Sequence, residues 1–228
     1  MLVIIQNDPE VPPGTYAACL DEWRVPFRLV SPFAGEALPP VDQVKAAIVL
    51  GGAMGVHDTV EHPFLAAVKE FIRGTVAARS PFLGICLGGQ LLADVLGAPV
   101  SSGANGEKGT LPVSLTTEGE CDPLFAGITR QFITFQWHND SFAIPEGGIL
   151  LASSSACPHQ AFRVGECAWG LQFHPEVTRE IVDTWARWTD ETAPEVERFL
   201  SEFVAADVPY GAASRRLLAN FLRIAGLS

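Results

Sequence analysis

The sequence predicts an α/β protein of three layers, in which a mostly parallel central sheet carries helices on both faces. In the first half of the 228-residue chain, short apolar segments alternate with segments of helical spacing, which is typical of parallel strands joined by helices. After about Val100, closely spaced strand candidates indicate a mixed or antiparallel continuation of the same sheet. Hydrophobic residues make up 48% of the chain, enough for a sizeable core.

The first half of the chain contains four predicted strands and three predicted helices. Apolar runs bounded by turn residues predict the strands, and apolar residues spaced three or four apart predict the helices. In chain order, they are strand Leu2–Gln6, helix Gly14–Glu22, strands Pro26–Val30 and Ala46–Leu50, helix His62–Ala78, strand Phe82–Ile85 and helix Gly88–Leu96.

The second half contains five short predicted strands followed by three predicted helices. They are strands Leu111–Leu115, Phe132–Phe135, Ile149–Ser153, Gln160–Val164 and Ala168–Phe173, and helices Val177–Trp188, Val196–Val204 and Ala212–Ile224. The segment Thr192–Glu195 matches a capping-box pattern, which predicts a helix start. We therefore expect a main domain over residues 1–189 and a C-terminal helical extension over residues 190–228, linked at Asp190–Ala193.

Composition and charge exclude several classes of function. The net charge of −11 argues against nucleic acid or an anionic membrane as the main partner. No apolar stretch is long enough to span a bilayer, and Met1–Gln6 is typical of a strand rather than of a signal peptide. The five scattered cysteines show neither a C-x-x-C pair nor zinc-ligand spacing, so we expect reduced thiols, no metal and a cytoplasmic protein. They are Cys19, Cys86, Cys121, Cys157 and Cys167.

One cysteine lies in a pattern that favours a reactive thiol. In Gly84-Ile85-Cys86-Leu87-Gly88, an apolar strand ends at Cys86 and a helix follows at once, the layout of a nucleophile elbow. Flanking glycines let strand and helix approach each other without Cβ clashes. A helix N-terminus stabilises a thiolate, although a lone cysteine after a strand is more often a small buried hydrophobe.

A candidate base follows the last predicted strand. His174 begins the segment His174-Pro175-Glu176, where Pro175 ends strand pairing and restricts the backbone. Glu176 is near enough in sequence to orient the imidazole and stabilise its charged form. A cysteine nucleophile needs a base and a group that orients the base, so Cys86, His174 and Glu176 form a candidate catalytic triad.

A second glycine-rich turn, Gly51-Gly52, directly follows the strand Ala46–Leu50. The chain lacks the G-x-x-x-x-G-K-[ST] pattern, which argues against a nucleoside triphosphate site. In an open α/β sheet, ligands bind outside the carboxyl ends of the strands. The N–H of Gly52 is therefore a candidate oxyanion donor beside the N–H of Leu87.

Together, these segments resemble class I glutamine amidotransferases in order and spacing over roughly residues 45–180. The matching segments are Gly51-Gly52, Gly84-Ile85-Cys86-Leu87-Gly88-Gly89-Gln90 and His174-Pro175-Glu176. The segments Gly51–Val56 and Trp137–Asp140 are similar to those of stand-alone homologues of the amidotransferase domain of GMP synthase. The resemblance implies a class I glutamine amidotransferase-like, flavodoxin-like fold and glutamine as substrate, with no cofactor.

The resemblance also implies a role for each matching residue. Cys86 would attack the side-chain amide of glutamine to form a γ-glutamyl thioester, His174 would transfer the proton, and Glu176 would orient His174. The N–H groups of Gly52 and Leu87 would bind the oxyanion. Four further residues are expected to contact the substrate: Gly51, Gln90, His138 and Asp140.

The acceptor of the nitrogen is left open. The chain contains neither an S-G-G-x-D-S loop nor a P-loop, so ammonia would have to reach a separate synthetase or acceptor protein. Alternatively, the same triad would serve a γ-glutamyl hydrolase or peptidase that acts on small γ-glutamyl compounds. A third interpretation, a non-catalytic regulatory protein of the same fold, does not explain an intact triad. The tryptophan-bearing C-terminal helices could supply the interface of a homo-oligomer.

Overall fold

The computed structural model describes residues 1–227. The strands are β1 (Leu2–Ile5), β2 (Phe27–Val30), β3 (Ala46–Val49), β4 (Phe82–Ile85), β5 (Val100–Ser101), β6 (Glu107–Leu115), β7 (Gln131–His138), β8 (Ser141–Phe142), β9 (Ile149–Ser153), β10 (Ala161–Val164) and β11 (Ala168–Leu171). The α-helices are α1 (Gly14–Glu22), α2 (Phe64–Ala77), α3 (Leu87–Val95), α4 (Thr117–Cys121), α5 (Arg179–Ala186), α6 (Val196–Ala205) and α7 (Asp207–Ile224).

Nine strands form one sheet in the order β2-β1-β3-β4-β11-β10-β9-β6-β7, and β5 pairs with β8 in a separate ribbon. The strands from β2 to β11 in this order are parallel neighbours. The strands from β10 to β7 continue the sheet in antiparallel pairs. The predicted α/β class, with its mostly parallel sheet and mixed continuation, is confirmed.

Helices cover both faces of the sheet because successive strand residues point to opposite sides. Leu2 and Ile4 of β1 lie in one hydrophobic cluster, together with side chains of α1 and α7. Val3 and Ile5 lie in another, together with side chains of α2 and α3. All four residues of β1 are fully buried, as expected for a strand covered on both faces. These clusters form the two interfaces of a three-layer fold.

Several element boundaries differ from the predicted ones. The ladder β6–β7 is longer than predicted because it pairs Glu107 with His138 and extends through the polar and glycine residues between Glu107 and Leu111. Helix α7 begins at Asp207, since Pro209 lies in its first turn, where proline is tolerated. The two-residue strands β5 and β8 and the one-turn helix α4 are too short to show a sequence period.

The predicted capping box is wrong. A 3₁₀ turn over Ala193–Glu195 lies between Thr192 and α6, so Glu195 occupies the N-cap position. The Thr192 hydroxyl instead lies 2.9 Å from the Thr189 hydroxyl.

The C-terminal helices pack onto the rest of the chain. Helix α7 buries Leu217 and Phe221 in the same cluster as β1 and α1. The Asn220 side-chain amide donates to the carbonyls of Leu124, at 2.8 Å, and of Ala126, at 2.9 Å. The domain boundary between residues 189 and 190 stays a prediction. The contacts of Leu217, Phe221 and Asn220 place α7 in the same helical layer as α1, on one face of the sheet. Among residues 1–227, no helix combines the length and the apolar character that crossing a membrane requires.

If α7 stabilises the sheet, Phe221→Ala should lower the free energy of unfolding by about 3–5 kcal/mol, because it leaves a cavity at a fully buried site. The control is Val208→Ala on the same helix, where the side chain is 81% exposed and the change should stay within about 0.5 kcal/mol. Chemical denaturation measures both variants. Equal effects of the two substitutions would show that α7 does not belong to the core.

Candidate active site

Cys86 lies at the junction of β4 and α3 in a strained backbone conformation. Its φ is 49° and its ψ is −108°, and it occupies the N-cap position of α3. A non-glycine residue in such a region costs about 1–3 kcal/mol, so the surrounding structure must hold it in place. One such contact is the Cys86 N–H, which donates to the Leu171 carbonyl of β11 at 2.8 Å.

Two glycines permit the close contact between strand and helix at this junction. A Cβ on Gly84 would lie 2.4 Å from the Gly88 carbonyl oxygen, and a Cβ on Gly88 would lie 2.0 Å from the Val49 carbonyl oxygen. Both distances are shorter than a carbon–oxygen contact allows. Because the obstructing atoms are backbone atoms, they cannot move aside without displacing α3 or β3. Any side chain at Gly84 or Gly88 would therefore disturb the turn that carries Cys86.

His174 and Glu176 form a buried pair next to Cys86. Nδ1 of His174 lies 2.7 Å from Oε1 of Glu176, and both side chains are almost completely inaccessible. The backbone of His174 is anchored to the neighbouring sheet strand, since its N–H donates to the Phe135 carbonyl at 2.8 Å. Because a carboxylate can only accept, Nδ1 carries the hydrogen and Nε2 is left for another partner.

Charge determines the protonation of His174. Burial by itself lowers the pKa of His174, but the negative charge of Glu176 and the Cys86 thiol beside it, through charge and hydrogen bonding, raise it from 6.5 to about 10. A proton taken up by His174 is thus held firmly. This arrangement favours a charged imidazolium next to the sulfur of Cys86.

The Gly51-Gly52 turn packs against the cysteine and the histidine. A Cβ on Gly51 would lie 3.0 Å from Cε1 of His174 and 3.5 Å from Cβ of Cys86. A Cβ on Gly52 would lie 3.0 Å from Cδ2 of Leu87. Leu87 is the first residue of α3, so its N–H has no acceptor within the helix.

A cavity of about 270 Å³ opens above this group, and its lining includes Gly52, Cys86, Gln90, His138 and Asp140. Gln90 and His138 both donate to the Asp140 carbonyl, Gln90 through Nε2 at 3.3 Å and His138 through Nδ1 at 3.0 Å. The structure thus brings the predicted residues of the elbow, the triad and the pocket together. The cavity lining does not include Gly51, His174, Glu176 or Leu87.

Sequence reasoning missed Gln172 and Trp185, whose side chains contact side chains of the triad. The Gln172 side-chain amide donates to Sγ of Cys86 at 3.7 Å, and its Oε1 lies 3.4 Å from Nε2 of Gln90. The Trp185 ring packs edge-on against the His174 ring, with centroids 4.7 Å apart. Gln172 lies near the end of the last predicted strand, two residues before His174. This proximity to His174 was the sequence feature that could have marked it as a site residue. No sequence pattern marks Trp185 as a neighbour of His174.

Two further residues hold the Gly51-Gly52 turn. The Asn7 amide donates to the Leu50 carbonyl at 2.7 Å, and Oδ2 of Asp8 accepts from the Ala53 N–H at 3.0 Å. Both residues follow β1, so they meet the turn after β3 at the same sheet edge. Elsewhere the cavity is lined by Lys108 and Trp188, which were not among the predicted site residues.

Comparison with known proteins identifies the family. The family model "Glutamine amidotransferase class-I" matches residues 29–184, more than half of the chain. The chain belongs to the class I glutamine amidotransferase family. The resemblance seen in the sequence is thereby confirmed.

Several known proteins are similar to this chain in sequence. The glutamine amidotransferase-like protein YfeJ of Salmonella typhimurium is 37% identical over 155 residues, which cover 66% of this chain and 65% of YfeJ. One subunit of the glutamine-hydrolysing GMP synthase of Pyrococcus furiosus is 32% identical over 145 residues, which cover 60% of this chain and 72% of that protein. The aligned segment thus spans about two thirds of each relative.

A solved structure covers nearly the whole chain. The crystal structure of a glutamine amidotransferase from Thermotoga maritima matches with a TM-score of 0.87 and 29% identity, over 98% of this chain and 97% of that one. The match therefore extends through α6 and α7 as well as the sheet.

If Glu176 raises the pKa of His174, Glu176→Gln should lower it. In a Cys86→Ala background, where the thiol no longer contributes, burial should then bring the NMR titration midpoint of His174 below 6.5. Glu180→Gln, an exposed carboxylate on α5, is the control and should leave the midpoint where the Cys86→Ala protein has it. An unchanged midpoint in Glu176→Gln would contradict the assigned role of the carboxylate.

Proposed function

We propose that this class I glutamine amidotransferase hydrolyses the side-chain amide of glutamine through a γ-glutamyl thioester on Cys86. The observation that carries the proposal is the placement of the buried His174–Glu176 pair beside a strained cysteine that lines a cavity. A nucleophile, a base and a group that orients the base lie in one place, as acyl transfer requires.

The first half of the reaction releases ammonia. His174 takes the thiol proton, and Sγ of Cys86 attacks the side-chain carbonyl carbon of glutamine. The N–H groups of Leu87 and Gly52 stabilise the negative oxygen that results. When this intermediate collapses, the carbon–nitrogen bond breaks and His174 returns its proton to the departing nitrogen. The products are ammonia and the thioester.

The second half regenerates the thiol. A water molecule attacks the thioester carbonyl and gives up a proton to His174. When the carbon–sulfur bond breaks, His174 returns this proton to Sγ of Cys86, and glutamate leaves. Glu176 keeps the same tautomer of His174 in both halves, since its carboxylate accepts the Nδ1 hydrogen throughout.

Residues along the cavity provide contacts for the rest of the substrate. Gln90 and the Asp140 backbone lie on one wall, held together by the hydrogen bond between them. Lys108 supplies a positive charge on another part of the lining, where it lies 3.2 Å from the carboxylate of Glu191. A substrate carboxylate could replace Glu191 as the partner of Lys108. We therefore assign the cavity to an amino-acid substrate or a small γ-glutamyl compound.

We further propose that the ammonia serves an acceptor on a separate protein. This proposal is supported by similarity to a protein that is one subunit of a glutamine-hydrolysing GMP synthase. The alternative, hydrolysis of small γ-glutamyl compounds, uses the same thioester and differs in what occupies the outer part of the cavity.

The test is ammonia release from glutamine by wild type, Cys86→Ala and Cys167→Ala, each alone and with cell extract added. Cys86→Ala should lose all release, because no thioester can form, whereas Cys167→Ala should keep wild-type activity, since Cys167 lies at a separate hollow near Arg79 and Glu166. Full activity in Cys86→Ala would exclude the elbow from the mechanism. Dependence on extract would favour a partner protein, and turnover of γ-glutamyl peptides in place of glutamine would favour the hydrolase.

A further inference from the structure

Behind one wall of the cavity, three side chains from distant parts of the chain meet. Glu107 begins β6, His138 ends β7 opposite it in the ladder, and Cys157 lies in the loop between β9 and β10. One ligand atom from each, an oxygen, a nitrogen and a sulfur, lies within 4.8 Å of the other two. All three residues are buried. We propose that Glu107, His138 and Cys157 form a binding site for a Zn²⁺ ion.

The orientation of His138 provides independent support for this site. His138 is 5% exposed, and its Nδ1 lies 3.0 Å from the Asp140 carbonyl. A carbonyl can only accept, so Nδ1 carries a hydrogen, and in the neutral imidazole Nε2 then presents a lone pair. Among residues 1–227, Nε2 has no hydrogen-bond partner although it is buried. A histidine that donates one nitrogen to a backbone carbonyl and leaves the other bare has the arrangement of a metal ligand.

The environment of Glu107 is also that of a ligand. Its Oε2 accepts from the Ser154 hydroxyl at 2.7 Å and from the Gln160 amide at 2.5 Å, so the carboxylate is fixed with this oxygen on the side of His138. Nε2 of His138 lies 3.8 Å from this oxygen, too far for a hydrogen bond. Among the described residues, Nε2 of His138 is left without a partner, whereas Oε2 of Glu107 already accepts two hydrogen bonds. A cation between them would satisfy Nε2 and would be balanced by the carboxylate.

Cys157, the third ligand, is held in place by two hydrogen bonds with Ser154 in the same turn. The Cys157 N–H donates to the Ser154 hydroxyl at 2.9 Å, and the Ser154 N–H donates to the Cys157 carbonyl at 2.8 Å. Burial raises the pKa of the Cys157 thiol to about 11, so the metal-free protein keeps the proton on sulfur. Binding of the ion releases that proton to solvent. The thiolate and the Glu107 carboxylate together then balance the charge of Zn²⁺.

The set of ligands selects the metal. A thiolate, an imidazole and a carboxylate are the three ligand types that Zn²⁺ takes in tetrahedral sites, and magnesium or calcium would be bound by oxygen alone. With bonds of about 2.0–2.3 Å, tetrahedral ligand atoms lie roughly 3.3–3.8 Å apart. The Glu107 and His138 atoms, 3.8 Å apart, already have this spacing, and atoms as far apart as 4.8 Å would have to approach by about 1 Å when the ion binds. Water would supply the fourth ligand. Gln136, two residues before His138 on the same face of β7, is also buried, and its Oε1 has no partner among the described residues.

The site is connected to the cavity through one backbone carbonyl. His138 and Gln90 both donate to the carbonyl of Asp140, so an ion that fixes His138 also fixes the wall on which Gln90 lies. The ion is separate from the proposed chemistry at Cys86.

Zinc binding is tested in a Cys86→Ala background. This substitution removes the buried thiol beside His174, which could otherwise bind Zn²⁺ itself. After chelator treatment and dialysis, we expect one equivalent of Zn²⁺ per chain and a higher melting temperature when it is bound. Adding Cys157→Ser should weaken Zn²⁺ binding at least tenfold. Adding Cys121→Ser, at an exposed cysteine, should leave binding unchanged.

If Cys157→Ser fails to fold, its loss of Zn²⁺ binding carries no information. Two measurements on the protein that keeps Cys157 therefore test the site independently. Co²⁺ in place of Zn²⁺ should give the charge-transfer absorption of a thiolate–cobalt bond, and bound Zn²⁺ should protect Cys157 from alkylation after partial unfolding. The proposal is overturned if Zn²⁺ does not bind, if the thiolate–cobalt band is missing, or if Cys157→Ser binds as tightly as its parent.

Discussion

The strained backbone at Cys86 is the constraint on which the site depends. Cys86 reaches the cavity at the point where β4 turns into α3. This turn depends on Gly84 and Gly88, which permit a contact that any side chain would prevent. Its strain of about 1–3 kcal/mol is offset by the parallel pairing on either side, where β3 and β11 flank β4. Because these strands are parallel, the segments that follow them meet at one sheet edge.

The site also requires that the charged side chains of His174 and Glu176 be shielded from water. A buried carboxylate without a partner would bind a proton, and a buried imidazole would lose one, so His174 and Glu176 stabilise each other. The C-terminal helices help to keep water away: Trp185 of α5 covers the imidazole, and the Tyr210 hydroxyl of α7 donates to the His174 carbonyl at 3.3 Å. Helix α7, beyond residue 190, thus contributes to the environment of the histidine, although the sequence shows no motif in it.

The sequence predicted those parts of the protein that local patterns encode. Glycine spacing located Cys86, a proline located the corner at His174, and β–α alternation predicted the fold class. Contacts between segments far apart in the sequence could not be predicted from it. Gln172 matters because its amide meets Sγ of Cys86, and Asn7 because β1 and β3 end side by side. The spacing of the cysteines argued against a metal site. The cluster of Glu107, His138 and Cys157 gives no such spacing signal, because its residues lie up to 50 positions apart in the sequence.

The central claim is that Cys86, alone among the five cysteines, reacts with the glutamine side chain. The most direct test treats the native protein with a diazoketone analogue of glutamine and locates the modification by peptide mass spectrometry. We predict a single adduct, on Cys86, whose formation is slowed by glutamine and abolished by denaturation. An adduct on Cys157 or Cys167, with Cys86 unmodified and activity lost, would contradict the claim.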